Sequence, residues 1–127
     1  MPEKHPAAAF QDLHVWRKSH ALVLTVYNLT AAFPRHELFG LTSQMRRAAV
    51  SVPANIAEGF KRRGRHDKTR FLNIAAASLA ELRYFLILAS DLGYARTEDA
   101  SAAADEVSRM LSAYERTILW SARTETV

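Results

Sequence analysis

Four stretches of this 127-residue chain repeat apolar residues every three or four positions, and helix breakers separate them. In the first stretch, Leu13, Trp16, His20, Val23 and Tyr27 share one helical face, running to about Ala32. Phe33-Pro34 closes it, because the residue before a proline disfavours the α region. Leu41, Met45, Ala48, Val52 and Ile56 mark a second helix, with Gly59 and Gly64 bracketing its exit. A third starts near Asp67, whose charge suits a helix N-terminus. Its seam is Leu72, Ala75, Leu79, Leu82, Leu86 and Ala89, and Gly93 is placed to cap it in a left-handed conformation. Thr97 is the N-cap of a fourth, whose stripe is Ala100, Ala104, Val107, Leu111, Tyr114 and Ile118. No alternating strand pattern of useful length occurs, and short connections make neighbouring helices antiparallel. The reading is an all-α fold, an antiparallel up-down-up-down four-helix bundle over residues 10–122. Residues 1–9 read as a flexible tail and 123–127 as a frayed end.

With 49% of residues hydrophobic and 24% charged, the chain can build a packed core. There is no cysteine, which excludes disulfides, thiolate metal sites and a cysteine nucleophile, and fits a reducing, cytoplasmic location. MPEKHPAAAF lacks the apolar stretch of a secretory leader, and no run reads as long enough to span a bilayer, so no membrane partner is expected.

Two helices carry more apolar surface than a lone bundle needs. On helix 3, Phe71, Ile74, Phe85, Leu88 and Leu92 form a second row beside the seam. The two rows together cover roughly 200° of the circumference, against about 100° or somewhat more for a typical surface helix. On helix 1, Val15, Leu22, Val26 and Leu29 lie off the first seam. Either the core is unusually wide, or one row is a contact between copies of the chain. Large exposed apolar patches are rare on soluble monomers, which favours the second.

Helix 2 holds the oddest stretch, SVPANIAEGFKRRGR at residues 51–65. On a helical wheel Gln44, Arg47, Ser51, Asn55, Glu58 and Arg62 form a polar stripe directly beside the apolar arc. Ser78 and Glu81 interrupt the second row of helix 3, and a carboxylate set among apolar residues needs a partner. Arg47, Ser51, Asn55, Glu58, Ser78 and Glu81 are therefore candidates for a polar network between helices 2 and 3 or between subunits. The alternative is a set of solvated edge residues. Pro53 inside the helix removes one backbone bond and clashes with the Ala49 carbonyl, at about 3 kcal/mol unless compensated. A kink near Pro53 accommodates this and frees that carbonyl for a side-chain partner. A true break, with Ser51 capping a second segment, is the alternative.

The search for catalytic chemistry is mostly negative. The four glycines (40, 59, 64 and 93) lie near helix ends, so no phosphate-cradling loop exists. There is no HExxH and no Glu-x-x-His, which argues against a di-iron bundle. The five histidines are dispersed, and His20, on the first seam of helix 1, reads as a satisfied core residue. No metal, cofactor or small-molecule substrate is expected. A Glu58–Glu81 carboxylate pair is the one enzymatic reading, and structural pairing explains it better.

Charge is more informative. Net charge is +4, but residues 35–70 carry 9 basic and 3 acidic side chains, whereas residues 71–127 carry 5 and 8. Lys61, Arg62, Arg63, Arg65, Lys68 and Arg70 place six cations in ten residues, against Asp67. Such clusters bind phosphate backbones through counterion release, and Phe60 adjoins the run as a base-stacking or core residue. Cations at a helix C-terminus also complement its dipole and aid solubility without binding anything.

The segments FQDLHVWRKSHALVLTVYNLTAAFP, ELFGLTSQMRRAAVSVPANIAEGFKR and FLNIAAASLAELRYFLILASDLGY resemble the bacterial 23S rRNA intervening-sequence proteins over roughly residues 10–119. LTSQMRRAAVSVPANIAEG carries most of that resemblance. It implies an antiparallel bundle, a ring-like homo-oligomer with a pentamer as the expected size, and distant similarity to the nucleic-acid-binding accessory proteins of diversity-generating retroelements. It implies no catalytic residues. The combined reading is a non-enzymatic homo-oligomeric bundle binding RNA or DNA through residues 61–70. The rival is a protein-interaction scaffold with no nucleic-acid role.

Overall fold

The computed structural model describes residues 6–125. Its helices are α1 (His14–Thr30), α2 (Leu41–Lys61), α3 (Arg65–Asp91) and α4 (Glu98–Glu125), with single 3-10 turns at Phe10–Asp12 and Arg35–Glu37. Among the described residues there is no strand. Each helix packs on two neighbours, α1 and α3 both lying against α2 and α4, and the α2–α3 contact is the most extensive. Ser51 of α2 meets Ser78 of α3, and nearer the connection Gly59 meets Phe71. One number falls as the other rises, so these two helices run in opposite directions. Lys18–Glu106 and Arg83–Asp105 ion pairs tie α4 to α1 and to α3.

The core follows the seams read for α2, α3 and α4. Met45, Val52, Ile56, Leu72, Leu82 and Leu86 are fully buried. Each such side chain contributes roughly 1.5–3 kcal/mol relative to exposure. Helix α1 is rotated from the expectation. Val15, Ser19, Leu22, Val23, Val26 and Thr30 face inward, whereas His20 and Tyr27 are exposed and Trp16 is half-buried. The reason is polar satisfaction. Ser19 Oγ donates to the Trp16 carbonyl at 2.8 Å and Thr30 Oγ1 to the Val26 carbonyl at 2.7 Å, so both hydroxyls are buried with their bonds made. Imidazole, indole and phenol carry polar atoms that a dry core would leave without partners. His20 instead stacks on Trp16, ring centroids 5.1 Å apart.

Other expectations shift by a few residues. α2 is one continuous helix through Pro53, not two segments, and Asn55 Nδ2 reaches the Ser51 carbonyl (2.8 Å) rather than that of Ala49. α3 begins at Arg65, two residues before the expected start. Residues 1–5 and 126–127, in the two expected loose ends, lie outside the described residues. In the described remainder of those ends, the Ala8 and Ala9 amides both donate to the Asp12 carboxylate, at 3.0 and 3.1 Å, and α4 runs to Glu125. By length and composition α3 also passes for a membrane-crossing helix, contrary to the sequence reading, although 33% of its apolar window is buried in the bundle.

The end of the bundle away from residues 61–70 is closed by a latch. α3 stops in a Schellman motif: Tyr94 N–H donates to the Ala89 carbonyl (2.9 Å), Gly93 N–H to that of Ser90 (3.0 Å), and Gly93 takes φ 74°. Tyr94 Oη then donates to Glu37 at 2.8 Å, and the other oxygen of Glu37 accepts from the Leu41 amide at the start of α2 (3.2 Å). Gly40 makes room for this, since a Cβ there would lie 2.7 Å from that carboxylate oxygen. The amide bond, then the tyrosine bond, hold the Glu37 carboxyl below its ordinary value, while the carboxylate raises the Tyr94 phenol.

Two outcomes follow. Leu22→Ala lowers unfolding free energy by about 2–5 kcal/mol, whereas His20→Ala changes it by about 0.5 kcal/mol at most; urea melts of both variants test the rotation of α1. Glu37 is a depressed carboxylate, so its contribution is present above the ordinary value of 4.5 and is lost as pH falls through the lower folded value. The melting-temperature difference between the native chain and Glu37→Gln shrinks as pH is lowered through that window.

Candidate nucleic-acid interface

The basic run lies where α2 ends and α3 begins, and the two helices come very close there. Gly59 is buried, and a Cβ on it would sit 3.3 Å from the Lys68 carbonyl oxygen and 3.3 Å from Phe71 Cβ. That approach brings Lys68 over the end of α2, where carbonyls lack helical partners. Lys68 Nζ donates to the Phe60 carbonyl at 2.9 Å and to that of Gly59 at 3.3 Å. Partial burial lowers the pKa of this ammonium. Phe60 is half-buried, with the same Nζ 5.7 Å from its ring centroid.

Two more of the six cations are also engaged. Arg62 pairs with Glu58 at 3.1 Å and lies 4.7 Å from the Phe71 ring centroid. Arg70 lies 4.5 Å from the same centroid and 3.7 Å from Asp67. Phe71, read from sequence as a subunit contact, is thus held by two guanidinium groups of its own chain. Lys61, Arg63 and Arg65 remain. All three are exposed, and among the described residues their side chains make no ion pair or hydrogen bond. The run therefore divides into one cap, one aromatic clamp and three cations facing solvent.

The polar stripe divides too. Ser51 Oγ and Ser78 Oγ are 2.8 Å apart, bridging α2 and α3, and Asn55 Nδ2 donates to Ser51 Oγ at 2.9 Å. Glu58 turns to Arg62, while Arg47 and Glu81 are exposed and join no hydrogen bond among the described residues. Within one chain the network is Ser51, Asn55 and Ser78, and no carboxylate pair forms.

Of the second apolar row on α3, Phe85 and Leu88 pack partly against the core, whereas Ile74 and Leu92 are 40% and 49% exposed. Tyr84 and Ile87 widen this open face. Sequence reasoning missed two further surfaces. Phe39 is 92% exposed at the corner before α2. An apolar groove between α1 and α2 is lined by Trp16, His20, Val23, Pro53, Ala54 and Ala57. Its sequence signal was the small-residue row of α2, Pro53, Ala54 and Ala57, one face of a helix with little side chain on it.

The 23S rRNA-intervening sequence protein family model matches residues 11–113, most of the chain and all of the surfaces just described. The chain belongs to that family. Its fold is also that of a solved member of the S23 ribosomal protein family from Bacteroides thetaiotaomicron, a protein of unknown function. That crystal structure matches with a TM-score of 0.74 and 25% identity, over 80% of this chain and 95% of the other. No curated protein matches. The family match takes in the α2–α3 end and the Ser51–Ser78 bridge, and it stops before the last turns of α4.

The division of the cations gives a stability test. Lys68→Ala lowers unfolding free energy by about 1 kcal/mol by uncapping α2, while Arg63→Ala and Arg65→Ala stay within about 0.5 kcal/mol. Urea midpoints of the three variants report this directly.

Proposed function

We propose that this family member is a non-enzymatic, self-assembling four-helix bundle that binds nucleic acid through the α2–α3 end. The observation that carries the binding half is the trio Lys61, Arg63 and Arg65, exposed together at one helix connection with no internal anion. Phosphate is the common anion that such a trio matches, and the contact is electrostatic and independent of sequence. The assembly half rests on the open apolar face of α3 and on Phe39. Assembly repeats the cationic end on one particle, and repetition raises avidity without any new contact. Among the described residues no three His, Asp or Glu side chains converge as a metal site would require, and the grooves are shallow.

Binding to RNA and DNA falls with added salt, and the slope of log K against log salt counts the phosphates neutralised. Replacing Lys61, Arg63 and Arg65 by Ala weakens binding to all sequences alike and reduces that slope by about 0.9 for each duplex phosphate no longer neutralised. Absence of binding at low salt would sink the nucleic-acid reading and favour the protein scaffold. Light scattering checks assembly separately: the expected particle is several times the 14.3 kDa chain, a pentamer being the size the family resemblance implies.

A further inference from the structure

Helix α4 outlasts its partner α1. Leu13, His14 and Val15, at the start of α1, face Met110, Ala113 and Tyr114 across one shallow groove, so the turns of α4 after Tyr114 extend past α1. On the other flank, Arg83 and Asp105 are 2.6 Å apart and fix the register of α3 against α4. The two helices run in opposite directions and rise equally per residue. Fifteen residues onward along α4 and fifteen back along α3 bring Trp120 level with Lys68, at the basic end of the bundle. Trp120 is 65% exposed. Arg116, one turn earlier on the same face, is exposed as well. Among the described residues neither side chain has a polar or aromatic partner.

Elsewhere at this end the aromatic rings are occupied. Phe60 is half-buried under Lys68, and Phe71 is held between Arg62 and Arg70. Among the described residues Trp120 is the exposed aromatic ring at this end, on the helix that packs beside α3, which begins with the cation Arg65. Resting on the nucleic-acid reading above, we propose that the ligand is single-stranded, with a base stacked on Trp120 while its phosphates cross Arg116 and the trio Lys61, Arg63 and Arg65. Charge selects this occupant over the same end of a second copy, because pairing the two would set cation against cation. Stacking selects the single strand, whose bases offer a free face that a duplex hides. The turn that carries Trp120 lies beyond residue 113, where the family match ends.

The test uses the full chain with Trp16→Phe, which leaves Trp120 as its one indole. Single-stranded RNA and DNA homopolymers, and a duplex of equal length, are titrated at low salt while tryptophan emission is followed. Single strands quench the emission and the duplex does not. Trp120→Ala weakens single-strand binding about 5- to 150-fold and duplex binding less than about twofold, and Trp120→Phe restores most of the loss. Because the indole is exposed, helix content and melting temperature stay as in the native chain. Unchanged single-strand affinity in Trp120→Ala, with loss of binding when Lys61, Arg63 and Arg65 become Ala, overturns the stacking role and leaves the cationic site standing. Failure to bind any polymer overturns both. A drop in particle mass on Trp120→Ala assigns the indole to a contact between copies and likewise overturns the proposal.

Discussion

The close approach of α2 and α3 at Gly59 is the constraint on which the rest of the bundle depends. With no side chain there, the Lys68 carbonyl and Phe71 Cβ come within 3.3 Å of where a Cβ would stand. The small residues Ala48, Ala49, Ala75 and Ala89 are buried in the same core, and they let helices interlock rather than stand apart. Close packing then puts Lys68 within reach of the α2 carbonyls and Ser51 within reach of Ser78. Both bonds tie helices that a wider spacing would leave to water. The core around them is stabilised by dispersion attraction among its buried side chains.

From that geometry comes the division of labour among the six cations. Charge that the helix ends require is consumed locally: Lys68 on carbonyls, Arg62 and Arg70 on Phe71 and on neighbouring carboxylates. Exposed ion pairs of this kind add little stability, so their effect is to fix side-chain positions more than to hold the fold. The remaining three cations have nothing to do inside the chain. A count of lysines and arginines therefore does not separate the cations that already have partners from those that do not; among the described residues, three of the six have none.

The apolar surplus is resolved in the same way. α3 buries Leu72, Ala75, Leu79, Leu82, Leu86 and Ala89, tucks Phe85 and Leu88 part-way in, and leaves Ile74, Tyr84, Ile87 and Leu92 outside. A helix apolar enough to pass for a membrane span, with most of that window uncovered, is one whose outer face can stabilise a further contact. At the opposite end, the Tyr94–Glu37–Leu41 chain of hydrogen bonds closes two loops onto each other and holds Phe39 outward at the adjoining corner. Polar closure at one end and cationic opening at the other make the bundle asymmetric along its axis.

Three of the four core seams were legible in the sequence, because a 3.6-residue period with one dominant apolar row admits a single burial choice. So was the left-handed cap at Gly93, which only glycine adopts freely. Helix α1 was not legible: two apolar rows competed, and hydroxyls bonding their own backbone decided between them, an effect that spacing does not encode. The candidate site was legible only as a cluster of charge. Local periodicity and composition were enough for four helices, their order and a basic connection. Which face of α1 is buried, which cations are already used and that Trp120 stands at the basic end came from tertiary packing alone, because each depends on residues far apart in the chain being brought within a few ångströms.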